Sequence, residues 1–135
     1  MHLEKFPEYD ISQVDPTALE NVEALLDARS IVAQSIEFAR QQKLIGNALE
    51  AHVELSLPRE HRVHQLSPGD IQEFLILSHL DLSPTDGEPN AVVRKTSHLR
   101  CDRCWRHLPT VGQRRDHPSL CDRCAEVLAE LAVKE

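Results

Sequence analysis

Cys101, Cys104, Cys121 and Cys124 form two Cys-x-x-Cys pairs separated by sixteen residues, and they are the only thiols in this 135-residue chain. Paired thiols at this spacing suit a tetrahedral metal ion. One Cys-x-x-Cys turn sets two thiolates on one side of the ion, and a returning hairpin brings two more from the other. Two disulfides would need an oxidising compartment that nothing in the sequence suggests. A redox dithiol needs one such pair, not two. An iron site uses similar ligands and stays open. A single structural Zn²⁺ is the expectation, because four cysteines leave no free position for a catalytic water. His107 and His117 are candidate replacement ligands, although surface or backbone contacts suit them better.

Charge sharpens the picture around those cysteines. The chain carries a net −7, yet residues 1–93 hold six Lys/Arg against sixteen Asp/Glu, while residues 94–123 hold eight against three. A basic tip therefore rides on an acidic body. Arg103, Arg106, Arg114 and Arg115 suit phosphate contacts, and Trp105 offers a face on which a base could stack. For Trp105 the stronger expectation is packing under the hairpin as its small core.

The elements that must position this tip follow from pattern. Asp15-Pro16 is a helix start, an N-cap followed by proline at the first helical position. Leu19, Val22, Leu25, Leu26, Val32, Ala33, Ile36 and Ala39 then recur at helical steps. They predict an amphipathic helix over about 16–44, on the order of 40 Å long and closed by Gly46. Either that stripe faces an ordinary core or its neighbouring helices are missing. Before it, HLEKFPEYD (2–10) reads as extended and polar. Leu49 to Leu57 alternates as a half-buried strand, and Ser67-Pro68 opens a short helix. Phe74 to Leu82 reads as a second strand, the loop 84–90 as a turn, and Ala91 to Lys95 as a weaker strand. Trp105 to Leu120 has room for two short strands turning around Gly112. A terminal helix follows Cys121, with Val127, Leu128 and Leu131 inward. The expected class is α+β, divided into 1–97 and a metal-binding module at 98–135.

No apolar run is long enough to span a bilayer, and the start of the chain lacks a signal pattern. The expected location is the cytoplasm, with the mitochondrial matrix as the alternative.

At this point the residues carry a resemblance. CDRCW…HPSLCDRC resembles the C-terminal zinc finger of isoleucyl-tRNA synthetases, a module shared with formamidopyrimidine-DNA glycosylases. HLEKFPEYD is similar to the segment leading into the last anticodon-domain helix of the synthetases. ARSIVAQSIEFARQQKLIGNALEAHVEL is similar to that helix and the strand after it, including a Lys-x-Ile-Gly-x-x-Leu-Glu-Ala pattern at Lys43 to Ala51. The order of the three pieces is more specific than any one of them, while 58–97 matches only in general character. The resemblance implies a zinc-stabilised, tRNA-binding module that helps position isoleucine tRNA, with the catalytic part of a synthetase as a further partner. The synthetase's catalytic signatures, of the His-Ile-Gly-His and Lys-Met-Ser-Lys-Ser types, are not found in the sequence. A fragment, a split subunit or a stand-alone relative would each fit, and a start at Met1 inside the resembling segment suggests truncation. The alternatives are a protein-interaction module and, behind it, a DNA-binding finger.

Overall fold

The computed structural model describes residues 4–133 and is α+β. The expected extended start falls partly outside it, at His2 and Leu3. From Glu4 the chain is irregular as far as a 3-10 turn at Ile11–Gln13, where the Asp10 carboxylate accepts from the Ser12 amide at 2.9 Å.

Helix α1 runs Pro16–Gln41, and the Asp15 carboxylate accepts from the Thr17 amide at 2.9 Å. It stops short of the expected Leu44, and Gly46 does not close it. Lys43 takes the left-handed conformation (φ 58°). The amides of Lys43 and Leu44 then reach back to the carbonyls of Arg40 (2.9 Å) and Ala39 (3.0 Å). This is the paired C-terminal bonding usually made with glycine, here tolerated by a lysine. The Gly46 amide instead donates to the Glu50 carboxylate at 3.1 Å.

A 3-10 turn at Ala48–Glu50 precedes strand β1, Ala51–Pro58. Its side chains alternate as expected: Ala51, Val53, Leu55 and Leu57 are fully buried, while His52, Glu54 and Ser56 face outward. Helix α2 spans Pro68–Phe74, strand β2 His79–Thr85 and strand β3 Asn90–Lys95. The expected strand from Phe74 does not begin there. Phe74 closes α2, Ile76 turns through φ 56°, and extended pairing begins only at His79. A short apolar run does not by itself distinguish a helix end from a strand, and Phe-Leu-Ile-Leu was such a run. The sheet order is β2-β1-β3, with β1 parallel to β2 (Leu55 opposite Leu82) and antiparallel to β3 (Val53 opposite Val93). The 86–89 loop passes over the end of β1, where Arg59 holds Asp86 at 2.7 Å.

The main core joins Leu25, Ala28, Val32 and Ala39 of α1 to the inner face of β1 and to Val63, Ile71, Leu75 and Leu77. Arg62 ties the turn at 62–65 to α1 through Glu20 (2.7 Å) and Asn21 (2.6 Å). The expected stripe is only half used. Leu25, Val32 and Ala39 are buried and Ile36 packs on the core, but Leu19, Val22 and Leu26 stay 41–53% exposed, and Ala33 is exposed.

A second, smaller cluster joins Cys101, Val111, Leu120, Cys121, Cys124 and Ala125, with Cys104, Leu108 and Leu128 against it. Helix α3, Asp122–Val133, leans on it through its first turns. Leu131 is 52% exposed rather than inward, because it lies a turn beyond Leu128, the last residue packed on the cluster. The hairpin between the cysteine pairs forms turns, with Gly112 at φ 89°, not two strands. Among the described residues the one isolated bridge joins Arg100, just before the first cysteine pair, to His107.

Candidate metal centre

The four cysteine sulfurs lie within 4.8 Å of one another, and all four thiols are free. Four sulfurs around one ion at about 2.3 Å stand roughly 3.8 Å apart. Cys104 Sγ and Cys121 Sγ are 3.9 Å apart, close to that spacing. Disulfide sulfurs would be separated by only about 2 Å.

Local backbone geometry explains how the first pair is held. The Trp105 amide donates to the Cys101 carbonyl and the Cys101 amide to the Arg106 carbonyl, both at 2.9 Å, closing a tight knuckle. Trp105 takes φ 65° to make it. The second pair sits at the start of α3, where the Ala125 amide reaches the Cys121 carbonyl (3.0 Å) and the Cys121 amide points at Cys101 Sγ (3.4 Å).

The thiols differ in acidity. Burial pushes Cys101 up, but amides of Cys104, Cys121 and Arg103 outweigh it and bring it down to about 6. Burial raises Cys104, and it carries Cys121 up to about 12. Cys101 is thus a ready thiolate, while Cys104 and Cys121 need a cation to ionise beside it. The donor set, its spacing and its burial fit a closed four-thiolate ion such as zinc, held by Cys101, Cys104, Cys121 and Cys124. Neither histidine belongs to this set. His107 Nδ1 donates to the His98 carbonyl at 2.9 Å, and His117 lies outside the group of convergent donors.

The five residues expected to meet nucleic acid divide into two groups. Arg103 and Arg115 are exposed and make no ion pair among the described residues. Trp105 is 63% exposed, so it does not pack under the hairpin as expected; the Arg100 guanidinium sits 5.7 Å from its ring centroid. Trp105 is not among the residues packed on the small cluster of Val111 and Leu120. Arg106 is half-buried and directed inward, with Nη2 3.5 Å from the Leu77 carbonyl and Nη1 3.5 Å from Glu73. Arg114 holds Asp116 with two bonds, at 2.9 and 3.1 Å. That pairing keeps the Asp116 carboxyl down at about 2.

Sequence reasoning missed the joint that carries the hairpin. Buried Ser78 accepts from the His107 amide at 2.8 Å, beside Arg106 on Leu77. Asn47 to Glu50, Arg100, Trp105 and His107 line an open cleft of about 440 Å³ on the same side. No helix among the described residues is long and apolar enough to cross a membrane.

Residues 99–127 match the family described as "Zinc finger found in FPG and IleRS". Almost the whole chain is similar to isoleucine–tRNA ligases. The enzyme of Syntrophotalea carbinolica is 32% identical over 96% of this chain and 15% of its own length. That of Gluconobacter oxydans is 37% identical over 96% and 14%, and that of Thermotoga maritima 32% over 93% and 14%. The chain thus spans about 15% of the length of the relatives it matches.

Proposed function

We propose, from the premise that this chain is homologous to one segment of the isoleucine–tRNA ligases, that it is a tRNA-binding part of such an enzyme. One structural zinc holds the cysteine hairpin, and the hairpin meets isoleucine tRNA while aminoacylation takes place on residues outside this chain. The observation that supports this most is the exposed Trp105 with Arg100 beside its ring. An indole left in solvent next to a guanidinium offers stacking to a base and charge to its phosphate at one place. Arg103 and Arg115 add phosphate contacts. Arg106 and Arg114 act first inside the protein, holding the hairpin to α2 and the loop to itself. The catalytic part of the ligase is the expected protein partner, in the cytoplasm.

The test is binding of the zinc-loaded chain to isoleucine tRNA, another tRNA and duplex DNA across a salt series. Salt-dependent preference for isoleucine tRNA, lost on chelation, supports the reading. Absence of RNA binding by the folded, zinc-loaded chain at low salt overturns it. A protein-docking role is favoured by a separate observation, the exposed Leu19, Val22 and Leu26 on α1. Under that reading, charge reversal at Arg114 and Arg115 leaves tRNA binding unchanged.

A further inference from the structure

The outer face of the sheet carries a cluster that the zinc hairpin does not use. Parallel pairing sets His52 of β1 directly opposite His79 of β2. Their rings stack at 3.6 Å between centroids with planes 1° apart. Asp81 stands two residues after His79, on the same face by strand alternation. Its carboxylate is hydrogen-bonded to His52, with Oδ2 2.6 Å from His52 Nε2, and its Oδ1 lies 3.9 Å from His79 Nε2. His98 closes the far side of His79, ring on ring at 4.7 Å.

We propose that His52, His79 and Asp81 form a second metal site, for a first-row divalent ion that favours imidazole, such as Zn²⁺ or Ni²⁺. Three potential donor atoms lie within 4.8 Å of one another, on side chains between 22 and 61% exposed. Two imidazole nitrogens with one carboxylate suit such ions, and three protein donors leave positions open for water or an outside ligand. A plain His–Asp ion pair explains His52 but not His79. The His79 ring makes no hydrogen bond among the described residues, yet its Nε2 lies 3.9 Å from the same carboxylate, between the rings of His52 and His98. Burial lowers the His79 pKa, and the neighbouring His52 lowers it further, so near neutral pH its nitrogen carries a lone pair. In the stacked pair His52 Nε2 carries the proton it donates to Asp81, so that nitrogen is not free for a metal as it stands. Binding requires the outer ring, His52, to turn about its broad χ2 torsion and to release its Nε2 proton to solvent as the metal takes that nitrogen and the Asp81 carboxylate. His79 stays fixed beneath, with His98 behind it.

The site links the sheet to the finger, since His98 rests on His79 and its carbonyl takes the His107 ring. The experiment uses the full chain with its cysteine site preloaded by one equivalent of Zn²⁺, then titrated with further Zn²⁺ by calorimetry near neutral pH. Imidazole ¹⁵N shifts are followed in parallel. A second event is expected, shifting the His52 and His79 ring nitrogens. His79→Gln and Asp81→Asn each weaken it by at least about tenfold while the first equivalent is kept, which also shows that the variants fold. His61→Gln with His64→Gln leaves it intact. The proposal is overturned if the wild-type chain takes no second ion at millimolar Zn²⁺. It is equally overturned if the second event survives in both His79→Gln and Asp81→Asn, which would assign it to scattered surface groups.

Discussion

The backbone amide of His107 donates to the Ser78 hydroxyl at 2.8 Å, across the joint between the cysteine hairpin and the sheet. Ser78 is 3% exposed, so nothing in solvent can replace it. Arg106, one residue before His107, reaches the carbonyl of Leu77, one residue before Ser78. The hairpin is thus seated on the short connection between α2 and β2.

Ser78→Ala leaves the half-buried His107 amide without its acceptor, a loss of about 1–3 kcal/mol. Native-state hydrogen exchange should show the His107 amide opening about tenfold faster or more. Protection of the Val53 and Leu55 amides should be unchanged. Equal loss at both places would mean that the joint supports the whole fold, not the hairpin alone.

This joint also marks what the sequence could and could not reveal. Period-two burial in β1 was legible because Val53, Leu55 and Leu57 face a single core. The α1 start was legible from Asp15-Pro16, and the cysteine set from its spacing. The end of α2 was not, because Ile76 adopts a conformation in which β-branched residues are rare. Lys43 ends α1 by the same device, which is why Gly46 misled. The His52–His79 stack was beyond reach as well. It depends on parallel pairing between strands twenty-seven residues apart, and local patterning carries no signal of which strand lies beside which.

Ile76→Gly should stabilise the protein. Ile76 sits at φ 56° and is 58% exposed, so little packing is lost when the side chain goes. Relief of left-handed strain is of order 1–2 kcal/mol, against a smaller rise in chain entropy. A net gain of about 0.5–1 kcal/mol follows and would appear as a higher urea midpoint at unchanged slope. A lower midpoint would show that Ile76 packs more than its exposure indicates.

Metal removal should separate the two clusters. They share no buried residue, and α3 has twelve residues, too few to hold as a helix alone. Chelation, or Cys121→Ser, should lower helical signal by about one α3 and free the amides of 101–125 to exchange. The unfolding transition of the sheet and α1 should persist. A single cooperative loss of both would show that the body cannot stand without the finger.

Asp116 gives a pH signature in the hairpin loop. Its folded pKa of about 2 lies below the ordinary 3.8, chiefly through the Arg114 hydrogen bond. With the folded value depressed, the contribution is fully present above 3.8 and is lost as pH falls through about 2. Acid also strips thiolate-bound metal, so the informative quantity is the difference between wild type and Asp116→Asn on one pH scale. That difference should be constant at neutral pH and shrink below 3.8. A constant difference down to pH 2 would mean the pair contributes nothing in solution.

Trp105→Ala tests the base-stacking half of the tRNA reading apart from its charge half. Stacking of one base on an aromatic ring contributes about 1–3 kcal/mol, so affinity for isoleucine tRNA should fall between roughly fivefold and a hundredfold. No charge is removed, and the slope of log affinity against log salt should stay put. Arg103→Gln and Arg115→Gln should act the other way. Each lowers the salt slope by about one if it meets a phosphate, with a similar loss for any RNA sequence. Trp105→Phe should restore much of the stacking. Since Trp105 is 63% exposed, its removal leaves the small core around Val111 and Leu120 intact, and unchanged metal retention verifies this. Unchanged affinity in Trp105→Ala would take the base off the indole and leave the hairpin with phosphate contacts alone.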